Sequence, residues 1–515
     1  MDFYKKHKKS IVAYTLFFSV CLGILIFLYP VLKPVPPGVD AAVYINDVHW
    51  IIDHGTLPAP YQVTYHGSGA YTAPLTDLNL SLLALITGLD VVFPLFSLYQ
   101  LFLILLLVIS CYLVGRIYGN FFSVLLPVAV LGSFSIGRLF IGSTVSNLLA
   151  FTYIGFIYYF SHAYFTKRKK AYLVLIILLL VSLYLTHNYL TAPIFIFSYA
   201  VYVCLLFIMN SELRSMIKKT FLSINIKVRT ASLIAIVMAF SYFLKLYIPI
   251  FKEAKNVFWQ SVSSNKFMGI IPLSEFHKHL GHFIFTLGML GLLFYVLQYK
   301  RNMKSSRLLP ALFFVIIAIL SQTYHIGVNF YFERVVFLAG TFIAIFATYF
   351  MAHLLQMRLS KRYVIVVTFM FVILIVSLAG NRMSSLYDAS NKITEPQIKA
   401  LQLLKSVSDK NDIVYSNINA VSETYHDSML SDRDIYYFST SLSLCRTNDS
   451  RCIALNTPTE ASSIHFFKNN NIRYFLFLKN SYEGNGKLDV LISQYKNQYY
   501  TSIFSGEGVE LFKLI

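Results

Sequence analysis

Residues 94–115 read PLFSLYQLFLILLLVISCYLVG, a run of 22 residues without a single Asp, Glu, Lys or Arg. About 20 apolar residues in a helix are enough to cross the hydrocarbon core of a bilayer, so this run predicts a membrane-spanning helix. A basic residue, Arg116, follows it directly. Apolar runs of similar length recur before and after it, and this recurrence predicts a polytopic membrane protein.

The composition of the whole chain agrees with this prediction. Of its 515 residues, 57% are apolar and 13% are charged, and the mean hydropathy is +0.61. Soluble domains carry roughly 25% charged residues, about twice the share found here. The composition therefore excludes a cytosolic enzyme, a disordered chain and a nucleic-acid-binding protein.

We predict a mainly α-helical fold with eleven transmembrane helices. The first follows four lysines and is taken as a retained anchor, because no small-residue cleavage site comes after its long apolar run. The predicted spans are 11–32, 94–115, 120–138, 146–166, 171–188, 190–210, 231–250, 283–299, 308–325, 335–357 and 363–380.

The distribution of basic residues predicts the orientation in the membrane. With the N-terminus in the cytoplasm, the cytoplasmic segments hold 21 Lys and Arg, and the outer loops before residue 381 hold 8. Cytoplasmic segments next to spans are enriched in Lys and Arg, so this asymmetry favours a cytoplasmic N-terminus and, with eleven spans, an outer C-terminus. The net charge of +19 is then an orientation signal. Tags at the two termini should report opposite sides of the cell membrane.

Residues 381–515 differ in character from the rest of the chain, because they are charged and rich in Asn, Ser and Tyr. They predict an extracytoplasmic α/β domain that follows a transmembrane domain at 1–380. Cys445 and Cys452 lie in this outer segment, where they could form a disulfide or remain two free thiols.

The first outer loop, 33–93, is long enough to suggest a functional role. A helix-like run begins near Asp40 and ends before Gly55, a typical helix stop. This acidic run, with Asp47 and His54, could supply a general base or a site for a divalent cation such as Mg²⁺ or Mn²⁺. Alternatively, Asp40 caps the helix and the remaining residues form a wetted face. The residues that share one helical face are Asp40, Tyr44, Asp47, Ile51 and His54.

Further along, polar residues at the predicted outer membrane face are candidates for binding a lipid phosphate. An amphipathic stretch ending at Leu89 predicts a helix that lies along the interface between membrane and water. Basic and histidine side chains at the outer ends of spans could surround a phosphate, although snorkelling or local ion pairing would explain them equally well. These candidates are Arg138, His187, Lys278, Glu333 and Arg334.

Three short motifs carry a resemblance to a known family. They are PGVD at 37–40 continuing to IIDHGTLP at 51–58, LTH at 185–187, and ER at 333–334 before an apolar span. Together with the anchor, the long first loop, the many spans and the outer α/β domain, they resemble the GT-C superfamily of integral-membrane glycosyltransferases. The resemblance in architecture covers the whole chain and is closest to archaeal and bacterial members.

The resemblance implies a reaction and roles for individual residues. Asp40 would be the catalytic base, with Asp47 and His54 in support, and the donor would be a sugar on a polyprenyl phosphate. The acceptor would be a glycan, a lipid or a protein, and the transfer would invert the anomeric configuration. Arg334, with Lys278 or Arg138, would neutralise the leaving phosphate.

Two departures from the family pattern limit what the resemblance implies. No Asp-x-Asp surrounds Asp40, so no cofactor is assigned and a requirement for a divalent cation stays open. The C-terminal segment lacks Trp-Trp-Asp-Tyr-Gly, which argues against the catalytic subunit of an oligosaccharyltransferase.

Three other functions compete with the glycosyltransferase hypothesis. A transporter or flippase of lipid-linked sugars would place its site at mid-membrane and often shows internal repeats, whereas charge is scarce in these spans and we find no repeat. A polymerase or ligase of lipid-linked saccharides is also an outer-face enzyme and is harder to separate from a glycosyltransferase. A non-catalytic membrane scaffold is the third.

Overall fold

The structure is a computed structural model, and it describes most of the predicted spans and much of the C-terminal segment. The described residues are 21, 39–57, 74–133, 136–137, 139, 145–167, 169–187, 191–209, 215, 230, 272–298, 308–322, 332–358, 393–409, 411–416, 430–431, 434–437, 454, 457–478, 490 and 492–515.

Two helices of the first loop precede the first described span. Helix α1 runs over Val39–His54 and α2 over Pro74–Thr87. Gly55 and Gly88 follow them at φ +68° and +65°, and each donates its N–H to a carbonyl of the preceding turn. These left-handed positions suit glycine, which explains why both helices end where they do. A short irregular turn, Val91–Leu95, then leads into the first long span.

Eight predicted spans coincide with described helices. The predicted spans 11–32, 231–250 and 363–380 lie outside the described residues, apart from Cys21 in the first. The helix of the predicted span 120–138 ends earlier than expected, at Leu131. The eight helices are α3 Phe96–Tyr118, α4 Asn120–Leu131, α5 Val145–Lys167, α6 Lys170–Thr186, α7 Thr191–Met209, α9 His282–Leu297, α10 Leu308–Ser321 and α11 Phe332–Arg358, with a short α8, Phe276–Leu280, before α9.

Length and apolar composition alone single out two stretches of the described chain as able to cross a membrane, Val91–Tyr118 and Thr191–Ile208. Five more helical stretches are equally apolar in character but shorter: Leu75–Thr87, Lys170–Thr186, His282–Leu297, Leu309–Ser321 and Leu338–Leu354. The predicted total of eleven spans stays a prediction.

Close helix contacts and buried tyrosines hold the bundle together. Helix α11 packs against α4, α9 and α10. A methyl group at Gly288 would come within 2.6 Å of the Ile343 side chain, and one at Gly291 would overlap the carbonyl of Phe346. Small residues at such crossings let membrane helices approach closely. Elsewhere in the bundle, the Tyr118 hydroxyl lies 2.6 Å from that of Tyr158.

The C-terminal segment forms a five-stranded mixed sheet. Two helices accompany it: α12, Glu395–Val407, packs on β5, and α13, Ala461–Asn469, packs on β3. The spatial strand order is β2-β1-β3-β5-β4, with β1 parallel to β2 and β3, and β5 antiparallel to β3 and β4. The strands are β1 Ile413–Ser416, β2 Asp434–Tyr437, β3 Ile472–Leu478, β4 Tyr500–Gly506 and β5 Val509–Leu514.

Residue contacts divide the chain into two compact units. One unit contains 104–138 and 147–380, and the other contains 27–103, 139–146 and 381–515. Helices α1 and α2 therefore belong to the same unit as the C-terminal sheet. The predicted division into a transmembrane domain, 1–380, and a separately folding outer domain, 381–515, stays a prediction.

Candidate functional site

Helix α1 carries the predicted catalytic residue at its beginning. Asp40 is the second residue of the helix, just after Val39. The N-terminal end of a helix bears a partial positive charge, which favours a carboxylate at this position. Because the helix already begins at Val39, Asp40 follows the cap position instead of occupying it.

The next turns of α1 are buried and anchored. Tyr44 lies one turn after Asp40, and its hydroxyl is 2.6 Å from the Ser146 hydroxyl at the start of α5. Asp47 lies one further turn along and is fully buried, with 0% of its surface exposed. The face predicted from helical spacing is thus buried at Tyr44, Asp47 and Ile51.

The last residue of α1 behaves differently. His54 is exposed, its Nδ1 lies 3.1 Å from the carbonyl oxygen of Trp50, and its ring stacks on the Trp50 ring with centroids 3.9 Å apart. The structure therefore does not bring His54 together with Asp47, although both were predicted to support the same site.

A second buried carboxyl group, on α2, was missed in the sequence. Asp77 is 0% exposed, and neither of its carboxylate oxygens has a hydrogen-bond partner among the described residues. Burial raises the pKa of Asp77 well above its usual range, and the nearby Asp47 raises it further. In the sequence Asp77 resembles an ordinary acidic residue in a first helical turn. The signal that could have revealed it is the polar series Thr76, Asp77 and Ser81 between outward-facing leucines.

In the other unit, His187 occupies the turn between α6 and α7. It is 3% exposed, and its Nδ1 accepts a hydrogen bond from the backbone N–H of Thr191 at 3.3 Å. The Thr191 hydroxyl in turn donates to Asn147 Oδ1 at 3.1 Å. Because Nδ1 accepts, the neutral ring carries its proton on Nε2, where it can act as a donor.

The remaining predicted site residues are spread along the chain. Lys278 is exposed and pairs with Glu275 at 3.1 Å. Glu333 and Arg334 are the second and third residues of α11. Arg138, Cys445 and Cys452 lie outside the described residues.

We tested whether the described residues could hold the divalent cation that the acidic run of α1 suggested. Within the described ranges, no three His, Cys, Asp or Glu side chains come together as a ligand group. Asp47 and Asp77 form only a pair. The described residues therefore do not supply a group of three metal ligands.

Comparison with known proteins supports the fold assignment. No protein-family model matches the sequence, and no curated protein sequence is similar to it. Among solved structures, the chain is similar to the archaeal oligosaccharyltransferase AglB from Archaeoglobus fulgidus in complex with an inhibitory peptide and a dolichol-phosphate. The TM-score is 0.58 at 11% identity, covering 96% of this chain and 73% of that chain.

Two further structures give the same result. The A. fulgidus oligosaccharyltransferase in complex with Zn and sulfate has a TM-score of 0.57 at 12% identity, covering 97% and 72% of the two chains. ArnT from Cupriavidus metallidurans bound to undecaprenyl phosphate has a TM-score of 0.58 at 9% identity, covering 96% and 97%. These likenesses span almost the entire chain, and the chain therefore shares the fold of these solved structures.

Proposed function

We propose that this protein is a membrane glycosyltransferase that moves a sugar from a polyprenyl-phosphate-linked donor to an acceptor at the outer membrane face. The observation that supports this most strongly is the likeness in fold to ArnT and AglB over 96% of the chain. The ArnT structure holds undecaprenyl phosphate, and the AglB structure holds a dolichol-phosphate. A lipid phosphate is the product that the proposed reaction would release.

In the proposed reaction, the Asp40 carboxylate takes the proton of the acceptor hydroxyl. The acceptor oxygen then bonds to the anomeric carbon of the sugar, while the bond from that carbon to the phosphate oxygen breaks. The phosphate leaves on the polyprenyl lipid, and the configuration at the anomeric carbon inverts.

The phosphate that develops negative charge needs cationic groups or hydrogen-bond donors. We assign this role to Arg334, supported by Lys278 or Arg138, and we assign Glu333 to binding the donor. We also assign His187 to binding the lipid phosphate or the donor. These roles rest on the resemblance in sequence.

The acceptor is a peptide, a glycan or a lipid. A similar structure, the A. fulgidus oligosaccharyltransferase, is tethered to an acceptor peptide, so a peptide is one of the acceptors to test. A requirement for Mg²⁺ or Mn²⁺ is tested directly by adding a chelator to the same assay.

Replacing Asp40 by Asn tests the proposal. The variant keeps the shape of the side chain but cannot accept the proton, so transfer should fall by about 10²–10⁴-fold. The measurement is the release of polyprenyl phosphate from a labelled donor, with protein amount and membrane insertion compared by immunoblot.

The matched control is Asp53→Asn, which removes an exposed carboxylate near the other end of the same helix. It should retain the activity of the wild type. If Asp40→Asn remains as active as Asp53→Asn, then Asp40 is not the base.

A further inference from the structure

Helices α1 and α2 both bury polar side chains as well as apolar ones. The two helices pack together, and the polar residues buried on them are Asn46, Asp47, Thr76, Asp77 and Ser81. The opposite side of α2 is apolar and exposed, with Ile86 at 72% and Leu85 at 65%. This is the pattern of a helix with lipid on its outside, where water cannot solvate a buried charge.

Asp77 lies near a second carboxyl group in this contact, because Asp47 on α1 acts on it electrostatically. The sequences of α1, α2 and the turn Val91–Leu95, which packs on both, contain no Lys or Arg. The other titratable groups on these elements are all on α1, and Asp53 and His54 among them are exposed. They are Asp40, Tyr44, His49, Asp53 and His54. Asp90, before the turn, is exposed and accepts hydrogen bonds from the N–H groups of Val92 and Phe93.

The surroundings of Asp77 favour a neutral acid. Its carboxyl oxygens have no donor among the described residues, and the Ser81 hydroxyl donates to the backbone carbonyl of Asp77, not to the carboxylate. Two like charges in one buried contact cannot both be ionised without a large cost. If Asp77 keeps its proton, the free-energy cost of two neighbouring buried charges does not arise.

We propose that Asp77 is a positioning residue, held as a neutral acid beside Asp47 so that α2 stays packed against the helix that begins with Asp40. Its effect on transfer rests on the proposed function, whereas its effect on stability does not. Ionisation of Asp77 would put a second charge into the contact and separate α1 from α2.

The sign of the pH dependence follows from the direction of the pKa shift. Since the pKa of Asp77 is raised in the folded protein by burial and by Asp47, the stabilisation is complete at low pH and is lost as the pH rises through the folded-state pKa. Above that pKa the neutral fraction falls about tenfold per pH unit, and transfer should fall with it.

Asp77→Asn tests the inference, because Asn has the shape of a neutral carboxyl group and cannot lose a proton. The purified full-length protein would be unfolded by heat in detergent across a series of pH values. The unfolding temperature of the wild type should fall as the pH rises, whereas that of Asp77→Asn should change little. The control Asp53→Asn should follow the wild type.

Two further measurements keep the test decisive if Asp77→Asn folds poorly. Asp77→Glu restores a carboxyl group and should restore the pH dependence. Infrared spectra of the wild type should contain the carbonyl stretch of a buried carboxylic acid, and this band should disappear on the alkaline side of the transition in unfolding temperature.

Parallel pH profiles for the wild type and Asp77→Asn, or the absence of that infrared band, would overturn the inference. So would Mg²⁺ or Mn²⁺ raising the unfolding temperature of the wild type but not of Asp77→Asn, because the pair would then hold a cation. If the stability results are as expected but the wild type releases no lipid phosphate from any donor, the proposed function fails and the role of Asp77 stands.

Discussion

At the scale of single residues, the hydroxyl of Tyr44 joins α1 to the beginning of α5. It lies 2.6 Å from the Ser146 hydroxyl, and the hydrogen bond between them is buried. Tyr44 is only four residues from Asp40. We therefore expect this hydrogen bond to help fix the orientation of the first turn of α1.

Tyr44→Phe should lower the free energy of unfolding by about 1–2 kcal/mol, because it removes the bond and leaves Ser146 without this partner. Transfer should also decline as α1 loosens. Thermal unfolding at one pH measures the first effect, and lipid phosphate release measures the second.

Ser146→Ala should cost a similar amount, and the double variant should cost less than the sum of the two single variants. Tyr499→Phe removes an exposed tyrosine hydroxyl from the same compact unit and is the matched control. Additive losses in the double variant would mean that the two hydroxyls do not depend on each other.

The sequence could identify residues whose role is local. Gly55 was predicted to end α1, and it does so with φ +68°. The proximity of Asp47 to Asp77 could not be predicted from the sequence. The two residues are 30 positions apart, and only the tertiary packing of α1 on α2 brings them together. His54 shares the helical spacing of Asp47, but a ring stack with Trp50 holds it at the surface.

At the scale of elements, the crossing of α9 and α11 depends on two glycines one turn apart. Helix α9 has its Gly288 and Gly291 against Ile343 and Phe346 of α11. Neither glycine requires a left-handed backbone, so their role is to leave room for the neighbouring chain. A single added methyl group at Gly291 would overlap a backbone carbonyl, which cannot rotate away as a side chain can.

Gly291→Ala should therefore lower the free energy of unfolding by about 1–3 kcal/mol or more. The measurement is the unfolding temperature of the purified protein together with its yield from membranes. Met289→Ala changes an exposed residue between the two glycines and serves as the control. Equal stability of the two variants would contradict the close crossing.

Strands were harder to predict than helices. The apolar runs of β1, β3 and β5 read as strands in the sequence. The sequences of β2, Asp434–Tyr437, and β4, Tyr500–Gly506, do not. Most residues of β4 have at least part of their surface exposed, so that strand lacks the apolar alternation that marks a half-buried strand. Its place at the edge of the sheet, paired with β5 alone, explains this pattern.

At the scale of the whole molecule, the composition could predict the class of protein, because a charged fraction of 13% leaves few alternatives to a membrane protein. The fold itself is supported by likeness to AglB and ArnT at 9–12% identity. At such low identity the spatial arrangement persists although most side chains differ. The residues that choose the sugar and the acceptor therefore have to be found by experiment on this chain.

The most direct measurement is the release of polyprenyl phosphate by the purified protein. It would be incubated with undecaprenyl- and dolichyl-phosphate-linked sugars, each with and without peptide, glycan and lipid acceptors. The account predicts that at least one donor releases its lipid phosphate when an acceptor is present, and that Asp40→Asn abolishes this release. Absence of release from every donor and acceptor pair, or equal release by Asp40→Asn, would contradict it.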